Sequence, residues 1–151
     1  MRLPLIAIVI ALAGAAPALA SGGMSCTSGT GPAQFDITAG MGRDFGSGMF
    51  NLTGELKADL PDVAEELTNL TYSDETPNQL WLDRDLLYLE LSAARGGDGP
   101  FAVSDLVIKT EAVDEGIYEG RYSLSITDTS IEADGEPQHI EVAGAVSCWA
   151  E

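Results

Sequence analysis

Residues 138–148 read QHIEVAGAVSC. Ile140, Val142, Gly144, Val146 and Cys148 fall on one parity. His139, Glu141, Ala143, Ala145 and Ser147 fall on the other. A β-strand sends alternate side chains to opposite faces, so this stretch predicts a half-buried strand with Cys148 on its inward side. The same period recurs upstream. In FNLTGELKA (50–58), Phe50, Leu52, Gly54 and Leu56 alternate with Asn51, Thr53, Glu55 and Lys57. In GIYEGRYSLSIT (116–127), Tyr118, Gly120, Tyr122, Leu124 and Ile126 share a face, and the glycines predict strong coiling or a bulge.

Between these runs lie turn signals: GMGRDFGSG (40–48), RGGDGP (95–100) and ADGEP (133–137). AQFDIT (33–38) and FAVSDLVIKT (101–110) read as further strands. QLWL (79–82) and LLYLELSA (86–93) read as two arms of a hairpin or as one bulged strand, joined by Asp83-Arg84-Asp85. Residues 62–71 fit two descriptions. Asp62 with Glu65 three residues later suits the cap of a short helical turn, and Leu67, Asn69 and Thr71 suit a strand ending at Tyr72. The expected fold is all-β, an antiparallel β-sandwich or barrel of about 7–9 short strands with little helix.

The chain begins MRLPLIAIVIALAGAAPALA (1–20). Arg2 supplies a positive start and Leu5 to Ala13 form an apolar run. Pro17 breaks it, and Ala18-Leu19-Ala20 ends it with small residues. These are the marks of a cleaved export signal. The run is too short to cross a bilayer, which takes about 20 apolar residues. The expectation is cleavage after Ala20, no later transmembrane segment, and one domain over 21–151 in a secreted or periplasmic setting. The alanine-rich leader has a bacterial character, so the sequons at Asn51 and Asn69 are read as coincidence. Cys26 follows Gly23-Met24-Ser25, a poor context for lipid attachment.

The sequence holds two cysteines. In an oxidising compartment a lone pair forms a disulfide, and the close C-x-x-C spacing of a redox pair is absent. A structural Cys26–Cys148 bridge is therefore expected, tying the first segment of the domain to its last strand.

Formal net charge is −17, from 24 acidic and 7 basic residues, and removal of Arg2 with the leader makes it one unit more negative. Such a surface repels phosphate backbones and anionic lipid headgroups, which excludes nucleic acid and membrane surfaces as partners. A basic protein remains as a partner, and solubility alone also accounts for the acidity.

Catalytic signals are weak. His139 is the sole histidine and lies on the outward parity of its strand. No G-x-S-x-G elbow accompanies it, and zinc finds too few ligands. Carboxylates close in sequence are expected by chance at this acid content. Calcium is weighed at Asp128, Glu132 and Asp134, which share a parity with Ser130 and end in Gly135, but the spacing is not that of an EF-hand. Trp81, Tyr88, Tyr118 and Tyr122 recur in the strands. Core packing explains them, and an interior cavity near Trp81, Tyr118 and Tyr122, inside a barrel or between sheets, is the functional reading. The sequence thus points to a non-catalytic binding module for a small apolar ligand. The alternative is an acidic protein-interaction or inhibitor domain that docks a basic partner in the cell envelope.

Overall fold

A computed structural model of the chain describes residues 22–42, 48–133 and 136–151, side chains 131–133 excepted. The leader expectation over 1–20 and the centre of the glycine-rich loop, 43–47, lie outside the described residues. The elements are β1 (Gly22–Ser28), β2 (Ala33–Met41), β3 (Met49–Ala58), α1 (Glu65–Thr68), β4 (Asn69–Ser73), β5 (Asn78–Asp83), β6 (Leu86–Ala94), β7 (Ala102–Asp114), β8 (Ile117–Ala133) and β9 (Glu136–Ala150). They form one antiparallel sheet in the order β4-β3-β2-β1-β9-β8-β7-β6-β5, curled into a half-barrel. The all-β expectation holds, and the barrel side of the sandwich-or-barrel choice is the closer one. β7, β8 and β9 run 13, 17 and 15 residues, longer than the short strands expected.

The two sheet edges are successive in the chain. Following the antiparallel pairings round the sheet, β4 and β5 run in the same direction. The chain leaves β4, kinks through a turn in which the Thr76 amide donates to the Ser73 carbonyl (2.8 Å), and continues as β5, paired with β6. One side-chain and one backbone bond fasten the edges locally. The Leu52 amide donates to Asp74 Oδ1 at 2.6 Å, and the Ser92 amide donates to the Pro77 carbonyl at 3.0 Å.

Both readings of residues 62–71 are realised in part, as a single helical turn, α1, followed by β4. Asp62 does not cap the turn. It sits at φ 66°, and Ala64 holds the cap position without a side-chain bond. Leu67 is buried, and its carbonyl accepts Ser104 Oγ from β7 at 2.8 Å. The helical turn therefore ties the β4 edge to the opposite wall.

The core lies on the concave face. Alternation places Phe35 and Ile37 of β2, Leu52 and Leu56 of β3, Leu87, Leu89 and Leu91 of β6, and Tyr122, Leu124 and Ile126 of β8 inside, all buried. Burying each such side chain contributes about 1.5–3 kcal/mol relative to exposure. Cys26 and Cys148 are also inside and are direct register partners across β1 and β9. Their sulfurs are at disulfide distance, 2.05 Å. The parity read from 138–148 put Cys148 inward, and it is inward.

Gly120 shows what its missing side chain is for. A Cβ there would lie 2.1 Å from the Lys109 carbonyl oxygen of β7. The gap between Tyr118 and Tyr122 is filled by neighbouring backbone, which lets β7 and β8 approach where the sheet coils.

Candidate functional site

β5 and β6 are joined by the two-residue turn Arg84-Asp85, which sets Trp81 opposite Tyr88, Leu82 opposite Leu87 and Asp83 opposite Leu86. Leu80, partnered with buried Leu89, belongs to the inner face. Trp81 and Tyr88 therefore project from the convex, outer face. The outer row continues through Lys109 of β7 and Arg121 of β8 to Ala145 of β9.

Trp81 is 67% exposed, an unusual position for a tryptophan, and Leu86 beside it is 50% exposed. Together with Leu87, Tyr88, Lys109, Thr110 and Glu111 they line a recess of about 320 Å³. This is near the lower bound of small-molecule sites, which run about 300–1,000 Å³. Lys109 Nζ lies 5.8 Å from the Tyr88 ring centroid, within cation–π range. The Tyr88 hydroxyl donates to Glu90 Oε2 at 2.7 Å. That bond to a carboxylate is the first cause of the raised Tyr88 pKa, followed by burial and the Glu90 charge. Tyr88 is thus a fixed, neutral shelf. Other recesses, beside Gln34 and Lys57 and beside Asn78 and Ser92, are lined largely by polar side chains.

The aromatic residues singled out from sequence do not converge. Tyr118 and Tyr122 are buried on the inner face, whereas Trp81 is on the outer one. Tyr122 packs edge-on against Phe35, with ring centroids 5.1 Å apart, and its hydroxyl is bonded to Ala33. Tyr72, also inside, keeps a buried hydroxyl with no partner among the described residues. Burial, and then the Asp105 charge, push its pKa up, so it stays protonated.

Asp128, weighed as a calcium ligand, is engaged otherwise. Arg95 grips it with two bonds, Nη1 to Oδ1 at 3.2 Å and Nη2 to Oδ2 at 2.8 Å. The Ser130 amide and hydroxyl donate to Oδ1 at 2.8 and 2.5 Å. Arg95 also pairs with Glu66 of α1 and donates to the Pro100 carbonyl at 3.1 Å. The arrangement latches α1 to β8 and leaves the Asp128 oxygens occupied. The Glu132 side chain and Asp134 lie outside the described residues. Among the described residues no group of three or more His, Cys, Asp or Glu side chains is placed to hold a metal. His139 is exposed on the outer face of β9, with Nδ1 3.2 Å from Thr127 Oγ1.

The Arg95 guanidinium, and next the Ser130 hydroxyl, hold the Asp128 carboxyl below the usual carboxylate range, at about 2 against 3.8. A folded-state pKa below the unfolded one means stability that is complete above the unfolded value and is lost as pH falls through the folded value. A shift of this size corresponds to about 2 kcal/mol. Wild type should therefore exceed Asp128→Asn in unfolding free energy at neutral pH, with the gap closing between pH 3.8 and about 2. Urea melts of both proteins across that window check this, and a gap unchanged by acid would contradict it.

Lys109 and Glu111 of the recess were not singled out from sequence. LLYLELSA is apolar on both parities in its first half, so Leu86 and Tyr88 carry no clear face until the hairpin register is known. The Arg84-Asp85 turn was the available signal. Among the described residues no helix is long and apolar enough to cross a membrane. No family model, curated protein or solved structure matches the chain.

Proposed function

We propose that the protein is an exported, non-catalytic binding domain that takes a small apolar molecule on the convex face of its sheet, in the recess of Trp81, Leu86 and Tyr88. The observation that carries this is the exposed Trp81 ring set against a bonded tyrosine beside an open recess of ligand size. A large aromatic left in water has unspent apolar area, about 25 cal/mol per Å² when covered. The inner face offers less, because Tyr122, Leu89 and Ile108 are already packed there.

The test uses N-phenyl-1-naphthylamine, a neutral apolar dye that brightens when shielded from water. Wild type should bind it, and Trp81→Ala should weaken binding about tenfold or more, in line with the loss of an aromatic anchor. Unfolding midpoints of the two proteins should agree, since Trp81 is outside the core. Equal dye binding by both would remove Trp81 from the site.

A second reading rests on a separate observation. On the outer face Asp36 opposes Glu55, and Glu111 opposes Glu119, in direct register. Like charges so placed are destabilising, and a cationic partner surface would relieve them. In that role the domain docks a basic protein, and added salt weakens the complex.

A further inference from the structure

Lys109 and Arg121 are direct cross-strand partners on the outer face, both exposed, beside Tyr88 and Trp81 in the same row. Directly opposed like charges are unfavourable. They are more notable in a chain with 7 basic residues against 24 acidic ones. Each has a glutamate two residues away on its own strand, Glu111 and Glu119. Yet among the described residues the ion pairs are those of Arg95 with Glu66 and Asp128. Arg95 is saturated by a buried carboxylate, while exposed Lys109 lies in the recess wall and exposed Arg121 lies one strand further along the same row.

We propose that the ligand of this recess is an anionic amphiphile. Its apolar body lies on Trp81, Leu86 and Tyr88, and its carboxylate, sulfonate or phosphate head meets Lys109 and Arg121. This rests on the recess being the binding site and adds the charge and orientation of what it holds. The head relieves the Lys109–Arg121 repulsion, which a neutral ligand leaves in place. Glu111 on the rim and the negative chain as a whole oppose anions at long range, so selectivity depends on the head reaching the two cations directly.

Two probes with the same ring body separate the outcomes: neutral N-phenyl-1-naphthylamine and its sulfonated analogue 1-anilinonaphthalene-8-sulfonate. In low-salt buffer wild type should bind the sulfonate about fivefold tighter, the scale of an exposed ion pair. That advantage should shrink in about 0.5 M salt, where the screening length is a few ångströms. Arg121→Gln, outside the recess lining, should at least halve it while neutral-dye affinity is unchanged, which also shows that the recess has survived the substitution. Trp81→Ala should weaken both probes. Neutral-dye binding with no sulfonate advantage, or an advantage undiminished in Arg121→Gln, overturns the anionic head and leaves the recess standing. Failure of both probes to bind overturns the recess and this inference together.

Discussion

Replacing Cys26 and Cys148 together by alanine is expected to lower the unfolding free energy by about 4 kcal/mol. The magnitude comes from the loop. The two cysteines are 122 residues apart in sequence, so the bridge closes nearly the whole domain and removes much of the freedom of the unfolded chain. Its position in the sheet adds a local reason. β1 and β9 are joined through four register pairs, Met24 to Ala150, Ser25 to Trp149, Cys26 to Cys148 and Thr27 to Ser147. This short ladder joins β1–β4 to β5–β9, and the bridge lies inside it. Both side chains are buried, so the cross-link is shielded from reductant until the ladder opens. Urea unfolding of the oxidised protein and of the Cys26→Ala/Cys148→Ala protein measures the difference. Hydrogen exchange should show the added opening concentrated in β1 and the end of β9. A loss below about 1 kcal/mol would mean that the unfolded chain is already compact, or that packing alone holds the ladder.

The bridge was legible because two independent signals met on one residue: the parity of 138–148, and the reading of residues 1–20 as an export leader, under which a lone cysteine pair is expected to oxidise. Strand positions followed from period-two alternation wherever one face was polar, as in β2, β3 and β9. The edge arrangement was not legible. β4 and β5 are successive segments at opposite edges, running the same way, and nothing in DETP (74–77) distinguishes a kink of that kind from an ordinary turn. The face of Trp81 was lost for a related reason. Without the register of the β5–β6 hairpin, Trp81 grouped with Tyr118 and Tyr122 by chemistry, whereas the sheet separates them by placing their side chains on opposite sides. Asp128 shows the third kind of limit. Its spacing to Glu132 and Asp134 looked like an oxygen cluster. The residue that engages it, Arg95, lies 33 positions away in a glycine-rich turn, and only the fold brings them together.

Tyr122 carries the second large effect, and it decides whether the inner face is a packed wall or a ligand space. Its ring lies over Gly144 of β9, where a Cβ would come within 2.6 Å of the ring. Its hydroxyl donates to the Ala33 carbonyl at 2.8 Å and accepts from the Ala33 amide at 3.1 Å. β8 and β2 are not sheet neighbours, so this one side chain pins the curl across β9 and β1. Tyr122→Ala should cost about 4 kcal/mol, the usual scale for truncating a buried aromatic. Tyr122→Phe keeps the ring but strands the buried Ala33 amide, and should cost about 2 kcal/mol. The Ala33 carbonyl loses less, because Ser28 Oγ also donates to it at 3.1 Å. The decisive measurement is a cycle with Gly144→Ala. In wild type the added methyl must displace the Tyr122 ring, so Gly144→Ala should destabilise. In the Tyr122→Ala background the obstacle is gone, and the same substitution should be close to neutral. A coupling of about 1–3 kcal/mol is expected for groups in such contact. Additive costs would mean that Gly144 is glycine for its backbone and that the ring does not depend on it. Through all of this, dye binding at the Trp81 recess should be unchanged in Tyr122→Phe, because the two aromatics lie on opposite faces of one sheet. Loss of that binding would return the ligand to the concave side.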